Sequence, residues 1–133
     1  MAFYESIADY YDDIFPLDQK AVDFVIATIG KEGQDRQILD VGCGTGDLAL
    51  ALSRYRYAVT AIDSDRAMIE KAKEKGRDCD FVSFHQTDMR ALPAAFGAEF
   101  FDGVLCLGNT LVHLAGPEEI GSFLADTARI LKK

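Results

Sequence analysis

The segment Ile38-Leu39-Asp40-Val41-Gly42-Cys43-Gly44-Thr45-Gly46 constrains the fold of this chain more than any other. An apolar run entering glycines at every second position reads as a β-strand stopped by a sharp turn. Asp47-Leu48-Ala49-Leu50-Ala51-Leu52 follows at once, so the turn opens directly into a helix. Free N–H groups at the start of that helix point at whatever lies over the turn.

The same alternation runs through the rest of the chain. Leu17 to Ile29 carries an apolar stripe at Val22, Val25, Ile26 and Ile29, the period of a helix, and Gly30 and Gly33 end it. Gln37 to Val41 is the first strand, and Asp47 to Tyr55 a helix. Tyr57 to Ile62 is the second strand, with Asp63 at its end. Ser64 is expected to cap a helix running to about Lys75 and closed by Gly76. Phe81 to His85 is a short third strand, Asp88 to Ala95 a loop, and Phe101 to Leu107 a fourth strand interrupted by Gly108-Asn109. Pro117 opens a final helix expected to bury Ile120, Phe123, Leu124, Ala128 and Leu131. Such alternation predicts an α/β fold, a doubly wound parallel sheet with right-handed crossovers, in a single domain over 1–133.

Charge narrows the partners. Twenty-two acidic against 14 basic residues give a net charge of −8, which repels a phosphate backbone, so no nucleic-acid partner is expected. No apolar run is long enough to span a bilayer, and the opening residues lack the pattern of a signal peptide. A cytoplasmic protein with no membrane partner is the expectation. Cys43, Cys79 and Cys106 are odd in number and far apart, which argues against a zinc site or a disulfide framework; no metal is expected.

Two cofactor classes use a glycine turn of this kind. A dinucleotide site needs Gly-x-Gly-x-x-Gly with pyrophosphate on the helix N-terminus, but counting from Gly42 the third position is Asp47. Asp40, just before the turn, would repel pyrophosphate and suits a ligand carrying a cationic ammonium group. At the end of the second strand Asp63 can accept the two hydroxyls of a ribose. Asp88, after the third strand, can accept a hydrogen bond from an exocyclic amine. Three strand ends closed by carboxylates describe a site for a nucleoside with a positive tail.

Asp40 to Gly46, Asp63, Asp88-Met89 and Phe101 to Leu114 resemble the successive motifs of class I S-adenosylmethionine-dependent methyltransferases. The resemblance implies a Rossmann-like sheet and S-adenosyl-L-methionine as cofactor, with S-adenosyl-L-homocysteine as product. It implies that Asp40 and the turn Gly42, Cys43, Gly44 and Gly46 line the methionine end, and that Asp63, with Ser64 beside it, holds the ribose. Asp65 or Met68 would flank the adenine, although Met68 reads equally as plain core. Asp88 would meet the adenine amine with Met89 beside it, and Leu107 and Gly108 would approach the methyl donor through their backbones. Cys106-Leu107-Gly108-Asn109 with His113-Leu114 is similar to methyltransferases of the glycine and sarcosine N-methyltransferase type. The opening Tyr4 to Phe15 segment resembles members in which an N-terminal tyrosine closes over the cofactor, which makes Tyr10 and Tyr11 the candidates; either could equally pack the terminus. Tyr11, Asn109 and His113 are the catalytic candidates.

The family's sheet has seven strands in the order 3-2-1-4-5-7-6, and this chain supplies four, a truncated sheet expected in the order 3-2-1-4 without strands 5–7. Val104-Leu105-Cys106-Leu107 would then be an exposed apolar edge, a template for a second chain. A homodimer or a missing C-terminal half is therefore expected. The reaction implied is methyl transfer to a small-molecule acceptor, an amine by the N-methyltransferase likeness. A cofactor-binding but inactive fragment or non-catalytic subunit, and another kind of nucleoside-binding α/β module, are the alternatives.

Overall fold

The computed structural model describes residues 6–30, 36–107 and 110–133. A 3-10 turn at Ala8–Tyr10 leads into a short helix α1 (Tyr11–Ile14), followed by α2 (Gln19–Ile29). Then come β1 (Gln37–Val41), α3 (Asp47–Ser53), β2 (Ala58–Asp63), α4 (Arg66–Lys75) and β3 (Val82–Gln86). A 3-10 turn at Met89–Ala91 and α5 (Leu92–Ala95) precede β4 (Gly103–Leu105). A further turn at Leu111–His113 precedes α6 (Pro117–Ile130).

All four strands are parallel, in the spatial order β3-β2-β1-β4. This is the doubly wound sheet that the sequence predicts. Alternate side chains of β1 and β2 feed two separate cores, as a period of two requires. Ile38, Val59 and Ala61 pack with Val22, Val25, Leu52, Tyr57 and Phe84, beneath α2, α3 and α4. Leu39, Val41 and Ile62 pack on the other face with Leu92, Phe101, Phe123 and Ile130, beneath α5 and α6. Chain order reverses between β1 and β4, so a crevice opens at the carboxyl ends of those strands.

Several local expectations shift. The cap of α4 is Asp65, whose carboxylate accepts from the Met68 N–H at 3.2 Å, and not Ser64, which is left exposed. Asp88 to Ala95 is not an open loop but a helical turn and α5, because proline is compatible with a first helical turn.

In α6 the buried residues are Phe123 and Ile130, while Leu124 is 57% exposed and Ala128 also faces out. The inward stripe passes through Thr127, whose hydroxyl donates to the Phe123 carbonyl at 2.8 Å. A polar residue satisfied by its own helix can hold a core-facing position, and a stripe read from apolar residues alone slips by one.

β4 is shorter than predicted: it pairs with β1 from Gly103 to Leu105, opposite Ile38 to Asp40, and then leaves the sheet. It is an edge strand, yet Val104 and Cys106 pack against one core and Leu105 against the other, so its apolar side chains are half-buried. Leu131 forms a parallel bridge with Phe101 on the same edge, the Lys132 N–H donating to the Phe101 carbonyl at 2.8 Å. The exposed apolar edge expected there is therefore confined to Leu107.

Candidate functional site

The glycine turn is sewn to β2. The Gly42 and Cys43 N–H groups both donate to the Ile62 carbonyl, at 2.8 and 2.9 Å, which carries the chain over the end of the neighbouring strand. The Gly44 N–H then donates to Asp63 Oδ2 at 3.0 Å, while Asp63 Oδ1 accepts from the Asp65 N–H at 2.9 Å. Asp63 thus braces the turn and the start of α4 together. Each of its oxygens retains capacity to accept a further donor.

Left-handed backbone makes glycine necessary at Gly42 (φ +73°) and Gly44 (φ +56°). The space a side chain would take is already used. A Cβ on Gly44 would lie 2.6 Å from the Tyr11 hydroxyl, and one on Gly42 would collide with Thr110. Two chain segments distant in sequence therefore close down on the turn, Thr110 at Gly42 and Tyr11 at Gly44.

Beneath it lies Asp40, 3% exposed, with Oδ2 buried and given no hydrogen-bond partner by the described residues. Burial, then the nearby Asp63 charge, pushes its carboxyl up to about 7. Burial also raises Asp63, opposed by the two backbone N–H groups it accepts and by His113. Asp88 is the opposite case. Its hydrogen bonds to the Arg90 guanidinium, at 2.7 to 3.2 Å, hold it below the usual carboxylate range. Arg90 also reaches Glu119 at 3.5 Å.

A cavity of about 330 Å³ lies over this arrangement. That falls at the lower end of the roughly 300–1,000 Å³ typical of small-molecule sites. Of the sequence candidates, Tyr11, Gly42, Gly44, Asp63, Ser64, Met68, Asp88, Met89, Leu107 and His113 line it. Asp40, Cys43 and Gly46 do not: Asp40 lies buried behind the turn, Cys43 packs into the first core, and a Cβ on Gly46 would meet Phe84. Tyr10 is 65% exposed and points away from the cavity that Tyr11 lines, since neighbours on a helical turn cannot share a face. Asp65, spent on capping α4, is also off the lining. Gly108 and Asn109 lie outside the described residues.

The wall contains residues that pattern reading passed over. Phe15 lies against Tyr11, their rings tilted and their centroids 5.1 Å apart, and Thr87, Arg90 and Thr110 add polar groups. Arg90 had a usable signal, a cation two residues beyond a candidate acid. Thr110 had none, because only the crossing of β4 beside β1 brings it to Gly42.

The three thiols are free and half-buried. Burial raises Cys43 far above its ordinary value and lifts Cys106 to about 11, so neither is a thiolate nucleophile at neutral pH. No described helix is long and apolar enough to cross a membrane.

A doubly wound sheet with its cavity at the strand reversal and a glycine turn flanked by acids defines a Rossmann-like cofactor domain. Comparison with known proteins makes the assignment specific. Residues 38–133 match the methyltransferase domain family. Glycine/sarcosine N-methyltransferase of Halorhodospira halochloris is 30% identical over 128 residues, covering 93% of this chain and 47% of that protein. The uncharacterized methyltransferase YodH of Bacillus subtilis (strain 168) is 40% identical over 99 residues, 74% of this chain and 40% of that one. The crystal structure of magnesium protoporphyrin IX methyltransferase from Synechocystis PCC 6803, with bound SAM, superposes with a TM-score of 0.68 at 25% identity, covering 85% of this chain and 54% of that one. The chain belongs to the class I S-adenosylmethionine-dependent methyltransferases. It spans about half the length of the curated relatives it matches.

Proposed function

We propose that this chain forms the cofactor side of an enzyme that transfers a methyl group from S-adenosyl-L-methionine to a small-molecule acceptor, an amine in the reading favoured here. One observation carries it: Asp40, a buried carboxyl with one oxygen given no partner by the described residues, lies under a glycine turn beside a second acid. Such a carboxylate is stabilised by a cation and repels pyrophosphate. The donor set therefore fits a nucleoside bearing an ammonium and a sulfonium, and does not fit a dinucleotide.

In this reading Asp40 balances the ammonium across the turn and Asp63 accepts from the ribose hydroxyls. Met68 supplies apolar contact for the base, while Asp88 accepts from its exocyclic amine. Met89 and Ser64 flank these contacts, and Leu107 borders the methyl end. The cofactor supplies an electrophilic methyl on a positively charged sulfur; its transfer to a neutral amine needs no protein base for the bond-forming step. The chain's own contribution is alignment and exclusion of water. Tyr11 closes one side, and His113, on the turn after β4, faces the acceptor side with Thr110. A second polypeptide segment pairing along the outer edge of β4, from further chain or from a second copy, completes the acceptor pocket in this proposal.

Calorimetry tests the cofactor reading. Micromolar binding of S-adenosylhomocysteine with no uptake of NAD is expected; the reverse pattern sinks it. Release of S-adenosylhomocysteine from S-adenosylmethionine in the presence of an amine panel tests the acceptor class, and turnover with hydroxyl acceptors alone excludes amines. Light scattering at tens of micromolar tests the second copy, which a strict monomer excludes.

A further inference from the structure

The cavity wall does not include Lys75, on the last turn of α4, yet Lys75 joins three parts of the molecule around the glycine turn. Its ammonium lies 2.6 Å from Asp47 Oδ1 on α3, 3.0 Å from Thr45 Oγ1 in the turn, and 2.5 Å from Asp12 Oδ2 on α1. The Thr45 hydroxyl, 1% exposed, closes the circuit by donating to the other Asp12 oxygen. One turn earlier on the same face of α4, Lys71 pairs with Asp9 at 2.8 Å. Residues 9 and 12 are thus tied by charge to a single helix. Tyr11, between them, is delivered to the open side of Gly44.

Apolar burial cannot do this work. Among residues 6–15 Ala8 alone is buried, and Tyr10, Ile14 and Phe15 are 65%, 51% and 41% exposed. A four-residue helix has no stability of its own. Burial acts against the charged form of Asp12, but hydrogen bonds from Lys75 and Thr45 outweigh it and hold the carboxyl below its ordinary range. The docked position of the N-terminal segment is therefore held by ions that salt can screen.

We propose that Lys75 is a positioning residue for the cofactor site: by clamping Asp12 to Thr45 and Asp47 it sets how firmly Tyr11 closes over Gly44. Lys75 touches no reacting atom and acts through Tyr11. The clamp rests on geometry alone; its consequence for ligand affinity rests on the cofactor reading above.

The test pairs two measurements on the same proteins: parent, Lys75→Met, Lys75→Arg, Tyr11→Ala and the Lys75→Met/Tyr11→Ala double variant. Amide hydrogen exchange across residues 8–15 is followed without ligand, and S-adenosylhomocysteine affinity is measured at about 50 mM and about 500 mM salt. Lys75→Met is expected to speed exchange in 8–15 by about tenfold while β1 and β2 keep their protection, and to weaken affinity by about five- to tenfold at low salt. High salt brings the parent toward the variant, and Lys75→Arg restores most of both effects. In the Tyr11→Ala background the same substitution costs less than about twofold, the signature of a pathway through Tyr11. Unchanged exchange in 8–15 overturns the clamp. Faster exchange with unchanged affinity, or an equal loss in the Tyr11→Ala background, overturns the positioning role. If the parent itself ignores S-adenosylhomocysteine the cofactor reading falls, and the exchange measurement still decides the clamp.

Discussion

Asp40, near the end of β1, and Asp88, two residues beyond β3, both sit at carboxyl ends of strands, and their electrostatics are opposite. Asp40 is buried and its carboxyl is raised to about 7, with one oxygen given no partner by the described residues. Asp88 is exposed enough to carry a bidentate Arg90 contact, which lowers it. In the proposed reading, a ligand cation held across the turn from Asp40 would relieve an existing penalty. An amine arriving at Asp88 must instead share or displace a guanidinium. Binding strength is therefore expected to concentrate at the buried acid, and Asp88 to tune selectivity.

The largest expected effect lies in the pH dependence of ligand-free stability. Burial holds the Asp40 carboxyl up to about 7 in the folded protein, against roughly 3.9 in the unfolded chain. Its contribution is favourable below the unfolded value and is lost as pH rises through 7, by about 4 kcal/mol in all. Asp12, Asp88 and Asp102, all lowered on folding, act in the other direction and lose their contribution as pH falls through their folded values. Urea unfolding of the parent and of Asp40→Asn, compared at pH 5 and pH 8, separates the two. Asp40→Asn should flatten the decline and gain about 1–3 kcal/mol at pH 8, because an amide replaces a buried charge. Equal stabilities of parent and variant at both pH values would falsify the burial argument.

Next in size is affinity. S-adenosylhomocysteine should bind the parent more tightly as pH rises toward 7. Asp40→Asn should bind about 10- to 100-fold more weakly without that slope. Calorimetry across the range decides it. Gly44→Ala tests the other side of the turn: left-handed backbone plus the approach to Tyr11 should cost about 1–3 kcal/mol of stability, read from urea unfolding. A loss of only about 1 kcal/mol, the backbone strain alone, would mean that the N-terminal segment yields freely. Smallest is Arg90→Gln. The ion pair is exposed, so stability should move by less than about 1 kcal/mol, while adenosine affinity rises a few-fold as Asp88 is freed. A fall in affinity would make Arg90 a ligand contact and not a competitor.

Much of this was legible from residue order. The strand, glycine turn and helix at Ile38 to Leu52, the acids near the strand ends and the parallel direction of the strands follow from period and turn chemistry, which are local; the order of the strands was implied by the family resemblance. Where local signals tied, reading failed. Ser64 and Asp65 are both good caps, and only the placement of α4 gave the role to Asp65 and turned Ser64 to the cavity. Tyr10 and Tyr11 are adjacent and alike, and the docking of α1 chose Tyr11. In α6 the satisfied hydroxyl of Thr127 moved the buried stripe away from Leu124.

By itself the sequence determined the family, the sheet and the chemical character of the site, because glycine spacing and strand-end acids act within a few residues of chain. Tertiary structure alone decided which acid keeps an oxygen that the described residues leave unpartnered and which is satisfied. It also brought Thr110 to Gly42, and Asp12 and Lys75 to Thr45. The reason is physical: burial and ion pairing depend on what the folded chain sets nearby, and residues separated by dozens of positions carry no mark of one another until the crossovers bring them together.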